Sequence, residues 1–360
     1  MRAMNAVPAE WSPHRAMWLG FPSHAELWQD DLEPARAEVA ALARALAEPG
    51  GERVRLVVCG EAAAGAAKAR LGDVEAIEIT PVVFGDIWLR DTGPIFLGPD
   101  EAASFAFNGW GGKYVLAGDE AVAGQIAQAA GARLARHDFV LEGGAVDHDG
   151  EGTALTTREC LVNPNRNRAW TEARAEAALR QTLGVRKVIW LDRGLLNDHT
   201  DGHVDNLARF VAPGVVAVPL AFGEDDPHGR IYDEAAQALA GAKDAAGRTL
   251  RIARIPSPGR VPGENGRWAP ASHMNFIIAN RAVVFPIYNQ RAGDFARQAL
   301  ETLFPDRRVI GLPSRALLTG GGSFHCISRE EPAAPPPQEG DRPRVRPEAG
   351  PRTGSAVEGA

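Results

Sequence analysis

Short apolar runs alternate with helical stretches along this chain, and that alternation narrows the available folds more than any other feature. Arg53-Val-Arg-Leu-Val-Val58, Ala76-Ile-Glu-Ile79, Ser104-Phe-Ala-Phe107, Phe139-Val-Leu141, Lys187-Val-Ile-Trp-Leu191, Val215-Val-Ala-Val218 and Leu250 to Ile255 read as strands, being short and rich in β-branched or aromatic residues. Residues 153–162 add strand material around Arg158, and 275–278 with 282–285 suggest a strand pair. Residues 33–47 form an alanine-rich amphipathic helix with Pro34 just inside its start. Further helices are predicted over 61–70, 120–131, 172–183, 231–242 and 290–304. Strands and helices interleaved in this way make an α/β or α+β chain.

The 360 residues, 45% of them hydrophobic, suffice for one large core or for two or three domains. No break in composition divides them before Pro332. From there on lie seven of the 26 prolines and almost no large apolar residue. The expected organisation is therefore a single domain over 1–332 and a disordered proline-rich tail over 333–360. The net charge of −7, with basic residues scattered, leaves no footprint for nucleic acid. Cysteines at 59, 160 and 326 are too few and too far apart for a disulfide framework. The first twenty residues lack the apolar core of a signal peptide, and no run approaches the ~18 apolar residues of a membrane span. These features predict a soluble cytoplasmic protein without a membrane partner.

Gly320-Gly-Gly-Ser-Phe-His-Cys-Ile-Ser328 presents a thiol through three glycines, which allow close approach to a ligand. Cys326 is the candidate nucleophile, although a cysteine is equally at home packed in a core. Asp198-His-Thr-Asp-Gly-His-Val-Asp205 is the densest polar stretch. On a helix, His199 and His203 would share a metal; on an extended segment, Asp201, His203 and Asp205 would share a face, giving an acid/base group beside a carboxylate. In Trp88-Leu-Arg-Asp-Thr-Gly-Pro94, Asp91 is a ligand-binding carboxylate or a turn acid. Glu142-Gly-Gly144 sets an acid after an apolar strand.

Asp91, Glu142, His203 and Cys326 follow one another at intervals of 51, 61 and 123 residues, the last about twice the others. A repeated module that sends one loop each to a shared centre produces such spacing. A thiolate, a histidine and several carboxylates suit attack on a planar guanidinium: carboxylates take its N–H fork, and its charge stabilises the thiolate. Loss of ammonia would follow. A metal-dependent hydrolase built on His199, Asp201, His203 and Asp205, and a non-catalytic guanidinium-binding protein, are the competing classes.

The chain resembles the agmatine deiminases and related bacterial-type peptidylarginine deiminases of the guanidine-modifying superfamily. The resemblance is carried by Pro8-Ala-Glu-Trp-Ser-Pro-His14, Trp88 to Pro94, Phe107-Asn-Gly-Trp-Gly-Gly-Lys113, Glu142 to Gly144, Asp149-Gly-Glu-Gly-Thr153, Asn165-Arg-Asn167, Asp201-Gly-His-Val-Asp-Asn206, the glycine-rich Cys326 stretch, and Glu331-Pro332. It implies a five-fold pseudosymmetric α/β propeller of ββαβ modules, the pentein fold. It also implies hydrolysis of agmatine to N-carbamoylputrescine and ammonia within polyamine (putrescine) biosynthesis, with peptidyl or free arginine as the alternative substrate. Carried over, Cys326 forms an amidino-cysteine, His203 is the general acid and base, Asp91 and Asp205 grip the guanidinium, and Glu142 binds substrate or orients His203. Asn275 contributes to the site or is a loop amide, and Trp88 and Trp110 line the channel or the core. No metal or organic cofactor is implied, and homo-oligomerisation is left open. Ser323, Arg168 and Asp147-His148 depart from the commoner pattern and bear on substrate choice rather than on the chemical set.

Overall fold

The structure, a computed structural model, describes residues 6–334 apart from Pro49 and residues 264–265. The disorder expected of 333–360 falls, past Ala334, outside the described residues. Strands β1 (His14–Gly20), β2 (Val54–Val58) and β3 (Ile77–Pro81) are followed by β4 (Ile95–Gly98), β5 (Glu101–Ala106) and β6 (Arg133–Val140). Next come β7 (Val146–His148), β8 (Thr153–Thr157), β9 (Lys187–Leu191), β10 (Arg209–Ala212), β11 (Val215–Leu220) and β12 (Arg251–Pro256). The last are β13 (Ile277–Ile278), β14 (Ala282–Ile287), β15 (Arg308–Pro313) and β16 (Ser328–Pro332).

These strands form five sheets among the described residues. In β4-β5-β6, β7-β8-β9, β10-β11-β12 and β13-β14-β15 an antiparallel hairpin leads into a helix, and the third strand returns parallel to the second. The fifth sheet, β16-β1-β2-β3, repeats the scheme with its first strand taken from the far end of the chain. There β16 is antiparallel to β1, and helix Leu32–Leu46 carries the chain to β2, parallel to β1. Five ββαβ modules thus close on themselves as an α/β propeller, and the expected fold is observed.

Local chemistry accounts for the crossovers. Thr171 and Asn289 cap helices Glu172–Leu183 and Gln290–Leu303 by accepting from the Arg174 and Ala292 amides. Gly131 and Gly184 end helices in the left-handed conformation. The centre of a module is dry: every residue of β8 is buried, as suits a strand covered on both faces.

Two local expectations change. The strand material over 153–162 ends at Thr157, whose hydroxyl accepts from the Cys160 amide and starts the helical turn Arg158–Leu161. Trp88 to Pro94 is not an open loop, because Leu89–Thr92 forms a helical turn in which the Trp88 carbonyl accepts from the Asp91 and Thr92 amides.

Candidate active site

Each module is entered through a link just before the first strand of its hairpin, and the polar residues sit there. Asp91 lies four residues before β4, Glu142 four before β7, Asp205 four before β10, Asn275 two before β13 and Cys326 two before β16. Asn275 fills the double interval: it stands 72 residues after His203 and 51 before Cys326. Five equivalent links therefore meet at one centre.

Asn275 holds the Cys326 loop. Its Oδ1 accepts from the His325 amide at 2.9 Å and the Cys326 amide at 3.3 Å, while its Nδ2 lies 3.1 Å from Cys326 Sγ and 2.9 Å from Asn206 Oδ1. Asp91 is oriented from two links, accepting at Oδ2 from Trp110 Nε1 (2.9 Å) and at Oδ1 from the Gly144 amide (3.0 Å). Its Oδ1 is 3.8 Å from His203 Nδ1, and Glu142 Oε2 is 4.0 Å from His203 Nε2. Glu142 Oε1 accepts from Arg166 Nε at 2.6 Å, and Arg166 in turn pairs with Asp201. His203 Nε2 and Asp205 Oδ1 are buried with no hydrogen-bond partner among the described residues.

Cys326 and Asp91 line a cavity of about 510 Å³. Trp28, Trp88, Trp110 and Tyr114 contribute its aromatic lining, and Asp30 and Asp31 also line it. Two of these indoles are tethered to one carboxylate, Trp28 Nε1 at 3.0 Å from Asp86 Oδ1 and Trp88 Nε1 at 2.7 Å from Asp86 Oδ2.

The electrostatics are unusual for so small a volume. Burial, reinforced by the charges of Asp205 and Asp91, pushes the Cys326 thiol well above its ordinary pKa. Burial would lower His203, but Asp91, Cys160 and Glu142 overcome it and raise the imidazole well above its usual value. Burial would raise Asp205, yet the hydrogen bond and charge of His325 hold it below the carboxylate range. Desolvation raises Asp86 to about 6. Both shifts favour the protonated forms, a thiol beside an imidazolium.

Close packing restricts what can stand between these groups. A Cβ on Gly144 would lie 2.6 Å from His203 Nδ1 and 3.0 Å from both Asp91 Oδ1 and Asp205 Oδ2. Gly144→Ala should therefore displace the histidine and lower kcat by ~10²-fold, with the thermal midpoint little changed. Equal kcat in the variant would show that the link yields without cost.

The Asp198 to Asp205 stretch departs from both expectations. Asp201 and Gly202 take positive φ of 62° and 83°, so the segment is neither extended nor helical there. Asp201 turns away to Lys113, Asn165 and Arg166 instead of sharing a face with His203 and Asp205. His199 packs against Tyr114, with ring centroids 5.7 Å apart. The set His199, Asp201, His203 and Asp205 does not converge, which removes the ligands of the metal-hydrolase reading. Among the described residues the donors that do converge are Glu142, Cys160 and His203, within 4.8 Å of one another, and Arg166 already pairs with that carboxylate. Sequence reasoning did not single out Glu10, His325, Arg166 or Asp86. His325 adjoins Cys326, and Glu10, Asp86 and Arg166 lie in or beside the quoted motifs, so adjacency was the only available signal.

The profile of the family described as Porphyromonas-type peptidyl-arginine deiminase matches residues 6–332. An agmatine deiminase of Pseudomonas aeruginosa (strain LESB58) is 37% identical over 361 residues, spanning 91% of this chain and 95% of the relative. Among solved structures, an agmatine deiminase of Enterococcus faecalis superposes with a TM-score of 0.85 at 30% identity, over 91% of this chain and 95% of its own. An agmatine deiminase of C. jejuni with substrate bound gives 0.82 at 27% identity, over 91% and 96%. Since the matched span runs through all five sheets, the ring-closing β16 included, the chain belongs to the Porphyromonas-type peptidyl-arginine deiminase family.

Proposed function

We propose that the chain hydrolyses agmatine to N-carbamoylputrescine and ammonia through a covalent intermediate on Cys326. The observation that supports the substrate is the charge of the cavity: among the described residues its lining includes Asp30, Asp31, Asp86 and Asp91 but no lysine or arginine. The terminal ammonium of agmatine finds carboxylates there, whereas the α-carboxylate of free arginine finds no cation. The tethered indoles supply an apolar wall for the methylenes and cation–π surface for the charge.

Asp91 and Asp205 take the N–H groups of the guanidinium. Its positive charge offsets the two carboxylates that, together with burial, raise the thiol, so with substrate in place the thiol gives its proton to solvent, to be regained when product leaves, and the thiolate forms. Sulfur attacks the guanidinium carbon, and the His203 imidazolium passes its proton to the departing nitrogen, releasing ammonia and leaving an amidino-cysteine. The now neutral His203 takes a proton from water as the oxygen attacks. Collapse breaks the C–S bond and returns the thiolate and imidazolium, while the second proton goes to ammonia, so guanidinium and water become urea product and ammonium. Glu142, fixed by Arg166, holds the imidazole in place through both half-reactions.

The test is ammonia release from agmatine, free arginine and an arginyl peptide measured side by side. Agmatine should exceed arginine in kcat/KM by ~10²-fold or more, the order of one lost charge pair and one unpaired carboxylate. Comparable values for arginine would overturn the substrate and keep the chemistry.

A further inference from the structure

Behind Cys326 lies an ion network that this chemistry leaves unused. His325 is buried, with Nδ1 2.8 Å from Asp205 Oδ2 and Nε2 3.0 Å from Glu10 Oε2. An ionised carboxylate only accepts hydrogen bonds, so an imidazole satisfied by carboxylates at both ends is protonated on both nitrogens. Glu10 is held on every side. Its Oε2 also accepts from Arg209 Nη2, and its Oε1 from the Ile278 amide at 2.8 Å. Arg209 continues to Asp147 at 2.6 Å, Arg90 adds a third positive charge near Glu10, and the Glu330 and Arg329 charges lie beside it. Asp205 for its part faces the positive charges of His203 and Arg209 as well as His325.

The N-terminal segment therefore reaches the centre of the ring. Glu10 precedes β1, yet it touches His325, the residue next to Cys326, and the last residue of β13. We infer that Glu10 and His325 are positioning residues for Asp205: Glu10 keeps His325 an imidazolium, and the imidazolium occupies Asp205 Oδ2, leaving Oδ1 ionised and free for the guanidinium. This rests on the reading of Asp205 as a guanidinium ligand. Without the carboxylate of Glu10 the imidazole keeps one proton. With a neutral His325 the buried Asp205 loses its counter-charge and protonates at higher pH, so guanidinium binding fails from the acid side upward.

The experiment measures ammonia release from agmatine across pH for the wild type, Glu10→Gln, His325→Asn and the double variant. Glutamine keeps one acceptor oxygen, enough for Arg209 or for the Ile278 amide but not for both, since these two donate to different oxygens of Glu10, and asparagine keeps an N–H toward Asp205 without the charge. In each single variant KM should rise ~10-fold and the acid limb of kcat/KM should move up by about one pH unit, with kcat at high pH within about threefold of wild type. The double variant should lose no more than His325→Asn alone, because Glu10 acts through His325.

A folded variant with unchanged KM and acid limb overturns the inference. So does a fall in kcat at constant KM, which would mean a displaced nucleophile. Should Glu10→Gln fail to fold, His325→Asn decides, and failure of both to fold assigns the pair a structural role and likewise overturns it. A wild type that releases no ammonia from agmatine would instead sink the proposed function.

Discussion

Cys326→Ser should lower ammonia release from agmatine by ~10⁴-fold or more, the scale at which loss of a nucleophile shows itself, while the protein still folds and binds agmatine. Serine keeps the contacts that shape the loop: the Asn275 amide nitrogen, 3.1 Å from Sγ, would face an acceptor of smaller radius, and the residue 326 amide would still donate to Asn275 Oδ1. What disappears is the accessible thiolate. Burial, with the charges of Asp205 and Asp91, already holds the thiol well above its ordinary pKa, and a bound guanidinium offsets the carboxylates' share of that for sulfur. A serine hydroxyl, several pKa units more basic, is not brought into range by the same charge. Turnover and calorimetric binding on one preparation separate the two halves of the expectation. A variant within tenfold of wild-type kcat would remove Cys326 from the chemistry, and loss of binding would mean that the thiol serves the pocket's shape.

The meeting of distant links was visible in the sequence because each link carries one unusual acid, histidine or thiol at a comparable place in its module. Asp91, Glu142 and His203 are spaced by that module, and the doubled interval before Cys326 was the trace of Asn275, an amide too ordinary to be noticed alone. The ring closure was not legible. Ser328-Arg-Glu-Glu-Pro332 carries three charged residues and no apolar period, yet all five residues are buried. Its charges are met by partners remote in sequence: Glu331 by Arg15, Arg55 and Trp18 Nε1, and Glu330 by Arg90 at 2.8 Å. Periodicity assigns burial by hydrophobicity and has no means of seeing such pairs. Asp201 failed for a different reason. Alternation along an extended segment places it on one face with His203, and the left-handed pair Asp201 and Gly202 turns it outward to Arg166.

That outward turn still serves the centre, since Arg166 joins Asp201 to Glu142 and fixes the carboxylate beside His203. His203→Gln should therefore be the second most damaging change, lowering kcat by ~10²–10⁴-fold with KM within a few fold, because Asp91 and Asp205 remain to grip the guanidinium. Both half-reactions suffer: ammonia departs without its proton, and water attacks without a base. The pH profile distinguishes this from misplacement. In the wild type the raised pKa of His203 keeps the imidazolium present at neutral pH, and activity falls on the alkaline side as that proton is lost. In His203→Gln no group takes its place, so the residual rate should rise with pH as the thiol ionises and show no alkaline decline. An alkaline limb that survives the substitution would belong to another acid, and the exchange of protons at the leaving nitrogen would have to be reassigned.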